Sequence, residues 1–487
     1  MSILSKIVFK IPKIINFEIL NDIRMQIKEN LRYIAKILFL ALIITCLISP
    51  DLYSKSKKRH RSYRPRIVKI NISKIDTLDH QTLHNGIDYY KINLGNGKSH
   101  FSVHFAEIDL KNNQLSPVVI KSGNQINGLE KLPVLFQRYN ETYIDSLFIA
   151  INANFWRAYS NTPIGPTIIN GEVIELAQHK NWSSFFIDNQ GVPYIDNFNI
   201  TGEISGKFKY KIRQINRRSD SNGVVMYNHI AGNVIPFIQN KKIQDALDSA
   251  YAVWAEDLPI IDEDSVEMEF DTAAFIEDYT IKLRENMIEQ PLTKLLVQYI
   301  DSPIVNKSYK AIVKQISSDT IKLPIGCAVI SFGKDIPPDL IPKLGDTLTF
   351  FFRTNKEQDK YFKMGISGSP RIVRNGVAKQ ESATEGNSSR RFISWQLPRT
   401  AIGFDKSQSK LLLAVVEGTD SKKGQYGASL QDLANIMKTL GAYQAMNLDG
   451  GGSSTFVIDG KNLLRVNDTS NSRKLSIIFG VKKQCEN

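Results

Sequence analysis

Three consecutive glycines, Gly450–Gly452, are the feature that most restricts how this chain can fold. Glycine gives up side-chain contacts and loses much conformational freedom on folding, so a triplet indicates a sharp bend or a close backbone approach. Asp449 precedes the triplet, and the hydroxyl residues Ser453, Ser454 and Thr455 follow it. Amides, hydroxyls and one carboxylate can hold a phosphate or a polyol beside a proton donor. A tight turn without a ligand is the alternative interpretation.

The residues before the glycines predict an α-helix. Ser429 and Asp432 have the spacing of a capping box, which marks the start of a helix. Apolar residues then recur at helical spacing between Leu430 and Leu440. Gly441 follows at the position where such a helix would end.

Strands are predicted on both sides of the glycines. Residues 442–447 form a short apolar run, and residues 455–466 have the pattern of a hairpin that turns at Asp459-Gly460. Asp449 is therefore expected at the carboxyl end of a strand, where ligands bind in open α/β sheets. This placement favours a functional role for the glycine loop over a purely structural one.

Five runs of residues in this sequence occur together in one protein family. They are Ile151–Trp156, Gly165–Gly171, Pro398–Gly403, Leu411–Gly418 and Asn447–Ser454, and Asn467 and Arg473 follow them. In this combination the chain resembles the phosphodiester glycosidase domain family, the family of the mannose 6-phosphate uncovering enzyme. Bacterial members are often called exopolysaccharide biosynthesis proteins. The resemblance extends over residues 85–481, with an interruption in the middle.

The resemblance implies an enzyme that hydrolyses the glycosidic bond of a sugar-1-phosphodiester in which the sugar is N-acetylglucosamine or similar. Such a reaction needs a group that stabilises the departing phosphate and a carboxyl group that manages the water or the leaving oxygen. We predict Asp449 as the catalytic acid or base; a turn-capping aspartate is its alternative role. Glu417 is the second predicted catalytic residue. The family pattern has aspartate there, so this carboxylate lies one methylene further out, and Asp449 ranks above it.

An anion site is predicted around the glycine loop. Arg399 suits a phosphate because a guanidinium can form two parallel charge-assisted hydrogen bonds with it; a surface ion pair is its alternative role. The amides of the glycines and the hydroxyls of Ser453 and Ser454 would complete the site. Arg473 would add a second phosphate contact.

Sugar contacts are predicted for three asparagines. Asn152 and Asn154 would bond sugar hydroxyls or, alternatively, shape a turn, and Asn467 would add a further sugar contact. Arg217 and Arg218 are weaker candidates, since paired arginines are often only solvated. The predicted binding residues are therefore Arg399, Gly450, Gly451, Gly452, Ser453, Ser454, Asn152, Asn154, Asn467 and Arg473.

The charge of the chain is uneven. Residues 1–66 hold 14 Lys and Arg against 4 Asp and Glu, so they carry most of the net charge of +13. The rest of the chain is nearly balanced and has no basic stripe interleaved with aromatic residues, so nucleic acid is not an expected partner. The expected partner is a carbohydrate or sugar-phosphate substrate. Membrane contact is expected only through the N-terminal segment.

The N-terminal segment has the pattern of an export signal. An apolar run over residues 37–48 follows basic residues and is shorter than a typical membrane span. Met25 would give a compact basic leader, so it is an alternative start. Residues 1–50 are expected to be a signal peptide or a retained membrane anchor, and residues 51–66 a basic linker. The protein is therefore expected to be exported to the periplasm or cell envelope.

Residue patterns for cofactors are weak. Three cysteines make no disulfide framework. His100 and His104 are four residues apart, but they lie in a strand-like run without the glutamate helix of a zinc protease. The acidic residues between 257 and 269 lack the glycine of a calcium loop, so a solvated surface is the preferred interpretation. No cofactor is predicted with certainty, and a divalent cation is left open.

The pattern along the chain predicts an α+β fold: a mixed, strand-rich single large domain with a helical acidic insertion. Strand-like runs such as residues 101–105 alternate with turn pairs as far as residue 235. Residues 237–294 are acidic and helix-prone, and strand patterns resume at residues 295–300. We therefore predict a phosphodiester glycosidase-like domain over residues 67–487, with an insertion at about residues 237–294.

Two other functions are left open by the sequence. A non-catalytic envelope protein that binds polysaccharide would keep the glycine loop without turnover, and the glutamate at position 417 is compatible with it. A transferase would move the sugar to another acceptor. Loss of activity in Asp449→Asn with ligand affinity largely intact would distinguish an enzyme from a binding protein.

Overall fold

The computed structural model describes residues 67–144, 146–157, 161–217, 221–235, 292–464 and 473–483. The chain divides into two units, Met1–Arg66 and Ile67–Asn487, and all of these residues belong to the second. The predicted signal segment and basic linker, and nearly all of the predicted insertion, lie outside the described residues.

Within the described residues the chain forms 27 strands and three α-helices. The helices are α1 (Leu132–Thr142), α2 (Arg390–Ser394) and α3 (Leu430–Thr439). The strands before the predicted insertion are β1 (Lys74–His84), β2 (Ile87–Gly95), β3 (His100–Asp109), β4 (Leu115–Lys121), β5 (Leu147–Asn152), β6 (Thr167–Ile169), β7 (Glu172–Glu175), β8 (Ser183–Asp188), β9 (Pro193–Asp196), β10 (Ile200–Ser205), β11 (Lys209–Ile215), β12 (Val224–Tyr227) and β13 (Val234–Ile235). The later strands are β14 (Lys294–Tyr299), β15 (Tyr309–Ser317), β16 (Ile321–Lys322), β17 (Cys327–Phe332), β18 (Thr347–Thr354), β19 (Phe362–Gly368), β20 (Arg371–Arg374), β21 (Val377–Ala378), β22 (Arg399–Phe404), β23 (Lys410–Val416), β24 (Gln444–Asn447), β25 (Phe456–Ile458), β26 (Lys461–Asn462) and β27 (Ile477–Lys483).

The predicted α+β class is wrong, because the described part of the chain is a mostly β protein. The prediction gave too much weight to one amphipathic run, which forms α3, and to the helix-prone composition of residues 237–294. The sheets bury their faces mainly against one another, as in sandwiches and barrels, so few helices are needed to cover them.

An eight-stranded sheet is the centre of the fold, with the strand order β1-β2-β3-β23-β22-β24-β20-β21. One face is covered by α3, whose Leu433 and Met437 join its core. The other face packs Leu413 against Phe456 and Phe479 of a five-stranded sheet. That second sheet has the order β26-β25-β5-β27-β4, and α1 covers its far side. A further five-stranded sheet has the order β7-β6-β19-β8-β9.

A closed seven-stranded barrel was not predicted. Its strands run in the order β10-β11-β12-β17-β14-β15-β18, and apolar residues such as Ile204, Val297 and Phe350 fill it. Closure leaves no unpaired sheet edge. The barrel strands lie on both sides of residues 237–294 in the sequence. The bounds of the insertion stay a prediction.

The local predictions around the glycines are confirmed. Helix α3 begins at a capping box in which Ser429 and Asp432 each bond the other's backbone amide. Strands β25 and β26 form the predicted hairpin, and Asp459 and Gly460 turn it with φ of 46° and 77°. A turn with two positive φ angles matches the twist of the flanking strands, which is why Asp-Gly marks it.

Strand ends from the two large sheets meet around the glycine loop. In one sheet, β24 ends at Asn447, which pairs with Ala401 of β22. In the other, β25 begins at Phe456, which pairs with Ile151 near the end of β5. The loop that joins β24 to β25, residues 448–455, therefore crosses from one sheet to the other at the end of the sandwich.

Candidate functional site

The glycine loop requires its glycines. Gly451 has φ of 58°, and its amide donates to the carbonyl of Pro398 at 2.9 Å. A Cβ at Gly450 would lie 3.1 Å from the same carbonyl oxygen. The sharp bend and close backbone approach predicted from the triplet are therefore present at these two positions.

Asn152 holds the loop in place. Its Oδ1 accepts hydrogen bonds from Thr400 Oγ1 at 2.7 Å and from the Thr455 amide at 3.0 Å. Its Nδ2 donates to the carbonyl of Asp449 at 2.5 Å. Asn152 is 1% exposed, and these contacts join both sheets to the loop. Asn152, which was predicted to bind a sugar, therefore has a structural role in holding the loop.

The Asp449 side chain is half-buried beside the glycines. Its Oδ1 accepts the Gly450 amide at 2.9 Å, and its own amide donates to Ala153. Burial raises the pKa of Asp449 from 3.8 to about 6, against the opposing influence of Ser453, Arg473 and the Gly450 amide. A carboxyl group with a pKa close to neutral suits proton transfer at physiological pH.

Arg473 is exposed and approaches the loop from the segment that precedes β27. A Cβ built on Gly452 would lie 3.6 Å from its Nε, Cζ and Nη2 atoms, so a side chain at position 452 would crowd the guanidinium. Gly452 is itself exposed. The structure therefore brings a cation, exposed backbone and the Asp449 carboxyl together, and phosphate binding by this group stays a prediction.

Arg399 lies apart from solvent. It is fully buried, its Nε donates to Ala428 O at 2.9 Å, and its Nη2 donates to Phe392 O at 2.6 Å. Burial lowers the pKa of Arg399 to about 9, although Asp432 opposes this effect. The guanidinium binds a backbone carbonyl of α2 and one from the segment just before α3, so its contacts are structural. Phosphate binding by Arg399 stays a prediction that these contacts do not favour.

Three predicted residues offer buried polar atoms without partners among the described residues. They are Ser453 Oγ, Ser454 Oγ and Asn154 Oδ1. The Nδ2 of Asn154 donates to Ile164 O at 3.2 Å and Thr167 Oγ1 at 3.0 Å, which fixes the orientation of the amide. Asn154 therefore offers only its Oδ1 as a hydrogen-bond acceptor, which could pair with the O–H or N–H donor of a sugar.

Glu417 directly follows β23 and is 4% exposed. Its Oε1 accepts from His104 Nε2 at 2.8 Å and from Lys91 Nζ, and its Oε2 accepts from Gln425 Nε2 at 3.0 Å. Burial alone would raise the pKa of Glu417, but the hydrogen bonds from His104 and Lys91 outweigh burial and lower it to about 2. Glu417 is therefore ionised throughout the physiological range.

Sequence reasoning missed the partners of Glu417. The spacing of His100 and His104 suggests only a zinc site, and no motif in the sequence singles out Lys91 or Tyr89. Their common signal is the alternating pattern of β2 and β3, which places Lys91 directly opposite His104 in the sheet. The neighbouring pairing of β3 with β23 was not readable from the sequence, since the two strands are distant in the chain.

The two carboxylate sites adjoin each other. Pro398, whose carbonyl binds Gly451, also lies against Gly418, where a Cβ would be 3.3 Å from the proline Cγ. On the other side, the ring of Phe456 lies 5.9 Å from the ring of His104, centroid to centroid. Asp449 with a pKa near 6 and Glu417 with a pKa near 2 thus belong to one region with separated acid–base properties.

Some of the predicted residues do not lie in this region of the described structure. Asn467 and Arg218 lie outside the described residues, and Arg217 pairs with Glu175 at 3.2 Å. Among the described residues, no three His, Cys, Asp or Glu side chains converge as a metal site. A groove of about 620 Å³ between α1 and the β25–β26 hairpin contains none of the predicted site residues.

Comparisons with known proteins agree with these observations. The chain is 35%, 30% and 32% identical over 103 residues to the N-acetylglucosamine-1-phosphodiester alpha-N-acetylglucosaminidases of Bos taurus, Mus musculus and Homo sapiens. The match covers 20% of this chain and spans 19% of the length of each relative.

Two solved structures share the fold. A protein of Synechocystis has a TM-score of 0.56 at 17% identity, covering 84% of this chain and 64% of that one. A protein of Burkholderia pseudomallei K96243, described as exported, has a TM-score of 0.51 at 15% identity, covering 78% and 74%. The phosphodiester glycosidase family model matches residues 328–482, which include β22 to β25 and the glycine loop. The resemblance to the phosphodiester glycosidase family is therefore confirmed for this part of the chain.

Proposed function

We propose that this protein hydrolyses the bond between the anomeric carbon and the phosphate of a sugar-1-phosphodiester, with N-acetylglucosamine or a similar sugar. The observation that carries the proposal is the Asp449 carboxyl, with a pKa raised to about 6, on a glycine loop that faces Arg473. The names of the mammalian relatives support the sugar and the bond.

The chemistry of the leaving group favours a base at Asp449. Cleavage releases a phosphate monoester, whose second pKa is about 6, so the departing oxygen needs little help from an acid. Water is a weak nucleophile, so a general base is needed to remove its proton. With a pKa of about 6, Asp449 is mostly ionised at neutral pH and still basic enough to accept a proton from water.

The phosphate would be held by Arg473 and the exposed backbone at Gly452. A guanidinium and backbone amides bind phosphate oxygens without transferring protons to them. Their attraction grows as negative charge develops on the departing phosphate, so they would stabilise the transition state more than the substrate.

Glu417 would act through its charge. Cleavage at an anomeric carbon develops positive charge on the sugar ring. A carboxylate that is ionised at all working pH values, and whose oxygens are already hydrogen-bonded, suits stabilisation of that charge better than proton transfer.

The test is hydrolysis of the methyl diester of N-acetylglucosamine 1-phosphate by the full chain. Wild type should release free sugar, and Asp449→Asn should lose activity by about two or more orders of magnitude with substrate affinity retained. The matched control is Asp459→Asn, which makes the same change in the β25–β26 turn and should keep full activity. A chelator series addresses the divalent cation, and added polyols would reveal sugar transfer.

If the folded wild-type protein binds the diester and related sugars but never releases product, the proposed enzymatic activity is refuted. That result would favour the polysaccharide-binding protein.

We further propose that the protein is exported and acts on envelope or exopolysaccharide material. The support is the apolar run behind basic residues in positions 1–50, which lie outside the described part of the chain. Among the described residues, no helix is long and apolar enough to cross a membrane. Cell fractionation and sequencing of the mature N-terminus test the proposal; a protein found only in the cytosol would refute it.

A further inference from the structure

We propose that Lys91 and His104 are positioning residues for the reaction, which hold the Glu417 carboxylate in one place and in its ionised form. This inference rests on the proposed glycosidase function. It assigns a role to two residues that do not belong to the glycine loop and that act through Glu417.

The partners of Glu417 come from separate elements. Lys91 lies on β2, His104 on β3, and Gln425 follows β23. Lys91 and His104 are direct cross-strand neighbours, and His104 pairs in turn with Val415, two residues before Glu417. The side chains of Lys91, His104 and Glu417 are 14%, 4% and 5% exposed. The cluster is therefore built into the sheet and largely shielded from water.

The hydrogen bonds define a direction. A carboxylate only accepts, so His104 Nε2 carries the proton that it donates to Glu417 at 2.8 Å. Lys91 Nζ lies 2.8 Å from the same ring nitrogen. Tyr89 then donates its hydroxyl proton to His104 Nδ1 at 2.9 Å. The hydrogen bond from Tyr89 orients the imidazole of His104, and the imidazole in turn orients the carboxylate of Glu417.

Positioning matters at this residue because it is a glutamate. Compared with aspartate, its side chain has one more rotatable bond, and a functional carboxylate must be held to about half an ångström. Three donors on its two oxygens remove that freedom. Its longer reach and the donors together give a defined carboxylate at the end of β23.

The same donors control the charge. The groups that face Glu417 are Lys91 from β2, His104 and the more distant His100 from β3, and Gln425 from the segment after β23. Burial favours a neutral Glu417, and the hydrogen bonds from His104 and Lys91, together with the positive charge of Lys91, reverse this preference. If either donor is removed, burial gains weight and the pKa of Glu417 rises towards the working range.

The experiment uses the full chain and the same methyl diester. Lys91→Met should lower kcat by about ten- to a hundredfold with little change in KM, the range seen when residues that orient a functional ligand are removed. Its rate should also fall more steeply with acidity than that of wild type, since Glu417 then titrates together with Asp449. Lys91→Arg keeps the charge and should recover most of the rate. His104→Gln keeps a donor near the Nε2 position and should lose less than His104→Ala.

Two results separate positioning from a merely structural role. In a Glu417→Gln background, Lys91→Met should lower kcat no further, because both changes act on the same group. Wild-type kcat and pH dependence in both Lys91→Met and His104→Ala would overturn the proposal, as would a full additional loss in the double variant. Should Lys91→Met fail to fold, the comparison of His104→Gln with His104→Ala decides in the same way. A wild type inactive on every diester would instead refute the proposed function.

Discussion

Replacement of Asp449 by asparagine should make the protein more stable at neutral pH while it removes activity. Burial raises the pKa of this carboxyl from 3.8 to about 6, so ionisation is less favourable in the folded state than in the unfolded chain. A shift of about two units corresponds to about 3 kcal/mol. Because the side chain is partly exposed, about 1–3 kcal/mol is the expected range.

The sign follows from proton linkage. A group whose pKa is raised on folding contributes stability that is complete below its unfolded pKa and is lost as the pH rises through the folded value. For Asp449 the loss occurs between about pH 4 and about pH 6. Asparagine cannot ionise and still accepts the Gly450 amide through its own Oδ1, so the variant avoids this loss.

The assay is thermal or urea unfolding of wild type and Asp449→Asn at about pH 8 and at about pH 3, outside the two ends of the titration. The variant should be more stable at the higher pH, and the difference should shrink at the lower pH. Asp459→Asn, the matched control in an exposed turn, should show no such difference. A variant that is less stable than wild type at the higher pH would refute the reasoning.

The remaining predictions concern the pH dependence of activity, two arginines and one glycine. Hydrolysis by wild type should fall as the pH drops through about 6, because Asp449 must be ionised to act as a base; a rate that falls as the pH rises through the same value would make it an acid. Arg473→Met should weaken substrate binding and turnover without lowering the melting temperature, since the side chain is exposed; equal kinetics would contradict its role. Arg399→Met should instead destabilise the protein by about 2–5 kcal/mol in urea unfolding, because the buried carbonyls of Phe392 and Ala428 lose their hydrogen bonds from the guanidinium. Gly451→Ala should lower stability by about 1–2 kcal/mol, the cost of a left-handed backbone conformation, and an unchanged midpoint would argue against the observed turn.

Local patterns made part of this site predictable. The capping box at Ser429, the helical spacing after it and the Asp459-Gly460 turn are each set by neighbouring residues, and the structure has all three. The glycine triplet likewise indicates a sharp bend of the backbone at its own position. These features placed Asp449 between a strand end and a hairpin before any tertiary contact was known.

Long-range pairing made the rest unpredictable. The pairing of β3 with β23 joins residues more than 300 positions apart, and the cluster of Lys91, His104 and Glu417 exists only because of it. Burial is similarly a property of the whole fold: Arg399 has the residue type of a phosphate ligand, but its place beneath α2 commits it to backbone carbonyls. The barrel could not be predicted because its strands come from two parts of the sequence, separated by a stretch whose composition suggested a helix.

The most direct test of the central claim is the position of bond cleavage, measured by hydrolysis of the methyl diester in water labelled with heavy oxygen. A glycosidase breaks the bond between the anomeric carbon and oxygen, so the label should appear in the released N-acetylglucosamine and not in the methyl phosphate. Label in a phosphate product would show attack at phosphorus. That result would contradict the account even if the substrate were consumed rapidly.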